Sequence, residues 1–410
     1  MHSQEARTPG QPLGSYGFSP SQAPLKSTAR YVRHCPEITL LYHVIREYWP
    51  EFQTELASQG KHLPTFICRE FDEYLKCGRL EHGFLRVRCE ACHHEKLVAF
   101  SCKRRGFYPS CGARRMVDSA ALLVDEVLPH KPMRQWVLSV PFPLRFLFAS
   151  QPAVMGKALG IAYRAIATHL THKAGFTPTT AKTGAVTLIQ RFGGALNLNT
   201  HFHMLFLDGV YIDPRHGKQV RFRRVKAPTR DELTQLTHTI AHRIGRHLER
   251  TGLLERDTGQ IYLTPEAMDA SDEDPSNHLL GSSITYRIAV GPQQGRKVFT
   301  LPTLPDCADD AFASSVGQVA GFSLHAGVAA SANERAKLER LCRYIARPAV
   351  SNQRLSLTRN GQIRYELKTP WRNGTTHVIF EPFGFCRQAG CAGTETACKP
   401  HSLSRCLRSQ

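Results

Sequence analysis

The sequence predicts an α+β protein with a mainly antiparallel sheet, preceded by a small zinc-binding module. Three observations carry that expectation. After residue 131, strand-like and helix-like segments are mixed without the strict alternation that a parallel sheet requires. Five of the 13 cysteines fall between 77 and 111. In a reducing compartment such a tight cluster means metal rather than disulfides. Finally, 53 Lys and Arg stand against 34 acidic residues, a net charge of +19. That surplus attracts polyanions, of which nucleic acid is the commonest. At ~150 residues per domain the chain has room for two or three domains. No apolar run reaches the ~18 residues of a membrane span, and the start lacks a secretory signal. The expectation is therefore a soluble, cytoplasmic protein with no membrane partner.

The elements follow in order. Residues 1–30 mix Pro9, Pro12, Pro20 and Pro24 with Gly and Ser, a composition that cannot build a core and reads as a disordered tail. Residues 31–130 read as a zinc-binding, DNA-binding domain. It opens on helical spacing at Leu40, Leu41, Val44, Ile45 and Tyr48, continued by Phe66, Phe71 and Tyr74, and ends in a helix over 116–127. Residues 131–382 read as the catalytic domain. Its expected elements are a strand at 136–141, a helix at 153–173, and strands at 185–192 and 201–207 joined as a hairpin. A helix within 228–254 follows, then short strands at 283–290 and 297–301, a strand at 321–328 and a helix at 333–346. Strands at 355–357, 362–367 and 377–380 close the domain. Residues 383–410 have no period and abundant Cys, and read as a disordered tail resembling a shifted frame.

In the cysteine cluster, Cys89 and Cys92 form a C-x-x-C knuckle that can grip one tetrahedral ion, and Cys102 and Cys111 complete four sulfurs. Cys77, His82, His93 and His94 are further candidate ligands. A closed four-ligand site is structural. Lys103, Arg104 and Arg105, with Arg114 and Arg115, surround the cluster and suit phosphate contacts.

The segment LNTHFHMLFLDGVY places His201 and His203 two apart on a strand, hence on one face, as a two-point metal grip. Gln190 on the preceding strand is either a third ligand or a cross-strand polar partner. In NERAKLERLCRYIARP, Leu338, Leu341, Cys342 and Ile345 form the buried stripe. Tyr344 lies off it, with Lys337, Arg340 and Arg347 on its own face. A divalent ion polarising a phosphodiester and a tyrosine attacking phosphorus would make these two sites one nuclease. Single-stranded DNA suits such an attack, because its phosphates are unstacked and reachable.

The segments FDEYLKCGRLEHGFLRVRCEAC, EKLVAFSCKRRG, QWVLSVPFPLR, TLIQRFGGALNLNTHFHMLFLDGVY, GQVAGFSLHAGVAA, RLCRYIARPAV and YELKTPWRNGTTHVIFEP, spread over residues 30–382, resemble IS91- and ISCR-type rolling-circle transposases of the HUH endonuclease superfamily. The resemblance implies an N-terminal zinc domain followed by an HUH nuclease fold. It implies Mg2+ or Mn2+ on His201 and His203, Zn2+ in the first domain, and Tyr344 as the nucleophile. It further implies nicking of single-stranded DNA at element ends through a 5′-phosphotyrosine. Three departures stand out. Tyr108 occupies the first position of the family's C-P-x-C. Arg340 stands where two-tyrosine relatives carry their other tyrosine. The pattern breaks after Pro382. The competing expectation is a zinc-containing DNA-binding protein without catalysis.

Overall fold

The computed structural model describes residues 33–103, 108–213, 220–257, 260–264, 275–290, 293–303, 316–392 and 398–401. The expected tail at 1–30 lies outside them. The described residues from Cys35 onward form one compact unit. It opens with α1 (Leu40–Ser58), whose N-terminus is capped by Thr39, the hydroxyl accepting from the Tyr42 amide at 3.2 Å. Leu41, Ile45, Trp49, Phe52 and Leu56 recur at helix spacing and are buried. Helix α2 (Thr65–Lys76) adds Ile67, Phe71 and Tyr74, with Phe71 stacked on Trp49 at 4.0 Å. A two-stranded hairpin follows, β1 (Phe84–Arg88) against β2 (Glu95–Ala99). Helix α3 (Pro109–Leu122) begins earlier than the expected 116, because Pro109 suits a first turn, and leaves through a π turn at Leu123–Val127.

The main sheet is built from β3 (Met133–Ser139), β5 (Ala185–Phe192), β6 (Leu198–Leu207), β12 (Val316–Val319), β13 (Phe322–Ala330) and β17 (Cys398–His401). Helices α4 (Phe142–Ser150) and α5 (Pro152–Lys173) connect β3 to β5, with a short β4 (Ala181–Lys182) between. Strands β7 (Gly209–Ile212) and β8 (Arg221–Arg224) form a small sheet with β4, and α6 (Arg230–Arg250) and the hairpin β9 (Leu254–Asp257) and β10 (Gln260–Leu263) lead on. The main sheet runs β12-β13-β3-β6-β5-β17, antiparallel throughout. The α+β expectation holds. Side chains alternate along β6. Phe202, Met204 and Phe206 enter a core with Leu147, Ile166 and Ile240, one from each of α4, α5 and α6. Leu205 and Leu207, with His201 and His203 ahead of them, point to the other face. There they pack with Leu338, Cys342 and Ile345 of α8 (Arg335–Ile345) and Ala120 of α3. At the far end of the strand, buried Asp208 receives Arg134 through two hydrogen bonds of 2.8 and 2.9 Å.

Two sequence expectations are corrected. Residues 283–290 are not a strand: Ile284, Tyr286, Ile288 and Val290 alternate, but Pro275 opens a helix, α7 (Pro275–Thr285), that runs through Ser283. The chain reverses at Tyr286 (φ 59°), after which Arg287 bridges Lys297 and the Ile288 amide donates to the Arg296 carbonyl at 2.8 Å, a short pairing outside any strand. The second correction is to the expected disorder after 382. The remaining strands, β11 (Phe299–Pro302), β14 (Leu355–Leu357), β15 (Ile363–Glu366) and β16 (Thr375–Phe380), form a sheet in the order β11-β16-β15-β14. Helix α9 (Pro382–Ala392) follows directly, with Phe385, Cys386, Ala389 and Cys391 buried. The helix is buried all round from Gly384 to Cys391, Arg387 and Gln388 included, and its cysteines belong to that packing, which is why composition misreads them. Residues 393–397 and 402–410 lie outside the described residues. The core joining Ile363, Tyr365, Val378 and Phe385 also contains Leu41, Trp49 and Phe71, so residues 31–130 share a core with the C-terminal sheet. Phe385→Ala is therefore expected to destabilise the protein by about 3–5 kcal/mol, read as a lowered urea midpoint. An unpacked tail would give no shift.

Candidate functional site

Antiparallel pairing brings the nuclease candidates together. Register sets Gln190 of β5 and Ser139 of β3 opposite His201, on either side. Gln190 Oε1 lies 2.8 Å from His201 Nε2 and 3.2 Å from His203 Nε2. His201 Nδ1 donates to the Asn199 carbonyl at 2.7 Å, so in the neutral ring Nε2 presents a lone pair to the Gln190 oxygen. The Gln190 amide nitrogen is buried without a hydrogen-bond partner. With no ion the amide can rotate to donate. With one, the oxygen and both nitrogens would be its ligands. Adjacent corners of an octahedron with ~2.1 Å bonds lie ~3.0 Å apart, which the 2.8 and 3.2 Å edges match. The oxygen and the two imidazole nitrogens are therefore a donor set that a divalent ion could take.

Burial pushes the His201 imidazolium down to about 4, and the charges of Arg347 and Arg145 add to that against the Asn199 hydrogen bond. Burial, then His201 and Arg347, hold His203 well below the ordinary imidazole range. Both rings are neutral at physiological pH, the form that ligates metal. Gln135 of β3, which sequence reasoning missed, reaches His203 Nδ1 at 2.7 Å. Donating its N–H there, Gln135 puts the ring proton on Nε2. With the amide reversed it takes the Nδ1 proton and frees Nε2. The only signal for Gln135 was its place two residues before Val137 on a strand predicted from 136.

Tyr344 opens onto the same cavity, about 540 Å3, which His201, His203, Gln190, His325 and Arg347 also line. It is 42% exposed, off the buried stripe of α8. The Arg347 guanidinium lies 4.3 Å from its ring centroid and the Lys368 ammonium 4.1 Å. Lys368 comes from the turn after β15, so only the tertiary fold could reveal it. Burial alone would raise the Tyr344 hydroxyl. The hydrogen bond and charge of Arg347 and the charge of Lys368 outweigh that and lower it.

The cysteine cluster departs from expectation. Cys77, Cys102 and Cys111 converge, their sulfurs all within 4.8 Å of one another and Cys77 to Cys111 at 3.5 Å. Tetrahedral thiolates at ~2.3 Å from zinc lie ~3.8 Å apart, so the three fit one ion. The Cys102 amide donates to Cys77 Sγ at 3.3 Å. Hydrogen bonds from Cys102 and Cys111 pull the Cys77 thiol down from its usual range. Tyr108 sits beside them, 2% exposed, hydrogen-bonded to Cys77 and packed on Tyr74 at 4.6 Å. Cys89 and Cys92 do not join. They lie exposed at the hairpin tip, where the Cys89 amide meets the His94 carbonyl at 2.9 Å. Five residues of strand at ~3.3 Å each carry the tip ~16 Å from the hairpin base, where Cys102 lies. His82 also stays outside the group, which is the only one of three or more such ligands among the described residues.

Residues 184–390 match the transposase family model Y2_Tnp, half of the chain, and residues 44–140 match the IS91 transposase zinc-binding domain. The chain belongs to the IS91-type transposases. No curated protein and no solved structure matches it. Being such a transposase, it acts on DNA, and its N-terminal match together with the three-thiol cluster supports a structural zinc ion. The Y2_Tnp match continues past Pro382 through most of α9, in agreement with the packing of that helix. No described helix of the transposase is long and apolar enough to cross a membrane. Of the expected DNA contacts, Arg347 lines the cavity, Arg340 is exposed on α8, and Lys103 borders a separate surface pocket with Arg114 and Arg115. Arg104 and Arg105 lie outside the described residues.

Proposed function

We propose that this transposase nicks and rejoins single-stranded DNA by a single-tyrosine HUH mechanism during rolling-circle transposition. The observation that carries the reading is the meeting of His201, His203, Gln190 and Tyr344 in one cavity, although they lie on three separate elements. His201, His203 and Gln190 hold the divalent ion, Mg2+ or Mn2+. Bound there, it neutralises charge on the scissile phosphate. Tyr344 Oη, its proton lost to water, attacks phosphorus in line. The P–O3′ bond breaks, the 3′ oxygen takes a proton from water, and the downstream strand stays on Tyr344 as a 5′-phosphotyrosine. Rejoining is the reverse attack by a 3′ hydroxyl. Arg347 and Lys368 hold the phenolate and meet the phosphate. Cys77, Cys102 and Cys111 hold the structural zinc beside basic residues that track the DNA backbone.

The test is a denaturing gel with Mn2+ and single strands carrying the element ends. A 3′-end label is expected to move into the protein band, while a 5′-end label yields a free shortened strand. Binding of these strands without any label in the protein band would favour the non-catalytic reading. Within the proposed site, Gln135→Ala is expected to weaken Mn2+ binding by about 10–100-fold, the usual effect of losing a group that orients a ligating histidine. Calorimetric titration checks it, and unchanged affinity would remove Gln135 from the site.

A further inference from the structure

The proposed ion site brings no negative charge of its own from its donors. Its donors, His201, His203 and Gln190, are all neutral. The remaining cavity wall contributes Gln135, Ser139, Asn199 and His325, and no carboxylate among the described residues. The buried acid on the same sheet, Asp208, is occupied by Arg134. The full charges that face the histidines are positive: Arg347 for both, and Arg145 for His201. Lys368 adds a third cation beside Tyr344. Mg2+ and Mn2+ are hard ions that exchange their hydration for charged oxygen ligands. Here a dication would give up water for three dipoles next to like charge.

We propose that the divalent ion and the DNA backbone bind this cavity interdependently, the phosphodiester supplying the negative charge and hard oxygen that the protein withholds. This rests on the single-tyrosine reading above. The phosphate has two electrostatic partners in the cavity, the ion on one side and Arg347 with Lys368 on the other. The anionic oxygen that the ion gains on DNA binding is the phosphate's own. Each therefore raises the other's affinity by the same factor. The consequence is a nuclease centre that is loaded mainly when single-stranded DNA lies in the cavity, so metal is not sequestered between events.

Free Mn2+ measured by electron paramagnetic resonance tests this without any cleavage. The probe is the zinc-loaded full chain with Mn2+ alone, then with a saturating random-sequence single-stranded 30-mer. His201→Ala serves to subtract Mn2+ held by the DNA. We expect Mn2+ to bind about 5–150-fold more tightly with DNA present, the usual span of such coupling. Equal affinity with and without DNA would overturn the inference. Ser139→Asp, opposite His201 in register, introduces the missing carboxylate. It is expected to bind Mn2+ without DNA and to lose most of the coupling. A folded Ser139→Asp protein with unchanged Mn2+ binding would also overturn it. Covalent adducts formed by a protein that binds Mn2+ equally well without DNA would sink this inference alone. Mn2+ binding unaffected by His201→Ala would instead remove the single-tyrosine reading.

Discussion

Tyr344→Phe is expected to abolish the covalent protein–DNA adduct, by about 10^4-fold or more, the scale of losing a nucleophile. The substitution removes one oxygen and keeps the ring that Arg347 and Lys368 approach at 4.3 and 4.1 Å. The site is 42% exposed, so folding and DNA binding should survive. Adduct formation is read on a denaturing gel and binding by a filter assay, and the two should separate cleanly. Persistence of the adduct would remove Tyr344 as nucleophile. Lys368→Met sharpens the assignment through pH. Arg347 and Lys368 favour the phenolate and lower the pKa of Tyr344. Removing one cation raises that pKa, so less phenolate exists at a given pH below it. The adduct rate should fall up to roughly tenfold at neutral pH, tenfold being one pKa unit. It should recover toward wild type as pH rises. A loss that is the same at every pH would mean that Lys368 only grips DNA.

The parts of this molecule that were readable from the chain are those governed by short periods. The His201–His203 strand, its hairpin partner carrying Gln190, and the helix of Tyr344 follow from two-residue and helical spacing. What spacing could not supply was register, and register decides whether Gln190 is a ligand candidate. Pairing Gln190 directly with His201 resolved that placement. Lys368 and Gln135 depend on contacts between strands distant in the chain, which leave no periodic trace. The cysteines failed for a different reason. C-x-x-C is a strong local pattern, yet a hairpin with its knuckle at the tip carries those thiols away from Cys102 and Cys111. Cys77, weighted lower because it stands outside the knuckle, ends α2 at the base of that hairpin and so meets both. In α9 the same residue type misled in the opposite direction, because Cys386 and Cys391 are buried in a packed helix there.

Tyr108 makes the zinc site testable in both directions. It lies beside the three-thiol cluster, hydrogen-bonded to Cys77, with its ring packed on Tyr74. The neighbouring residues 104–107, Arg-Arg-Gly-Phe, carry no thiol or imidazole. Tyr108→Cys is therefore expected to bind zinc more than about tenfold more tightly, a gain of ~1.4 kcal/mol or more. Competition with a coloured chelator measures it, and Co2+ substitution should show a stronger thiolate charge-transfer band. The same change removes a large buried ring, so the zinc-free variant should unfold more easily than the zinc-free parent. Zinc then reverses the order of stability. Cys77→Ser takes away the thiolate that Cys102 and Tyr108 both address, and should lose stoichiometric zinc and lower the melting temperature of the whole unit. That loss should spread beyond the first 130 residues, because α1 and α2 share their core with the C-terminal sheet and α9. If Cys77→Ser kept its zinc while Cys89→Ser released it, the ion would belong to the hairpin tip and the three-thiol centre would be wrong.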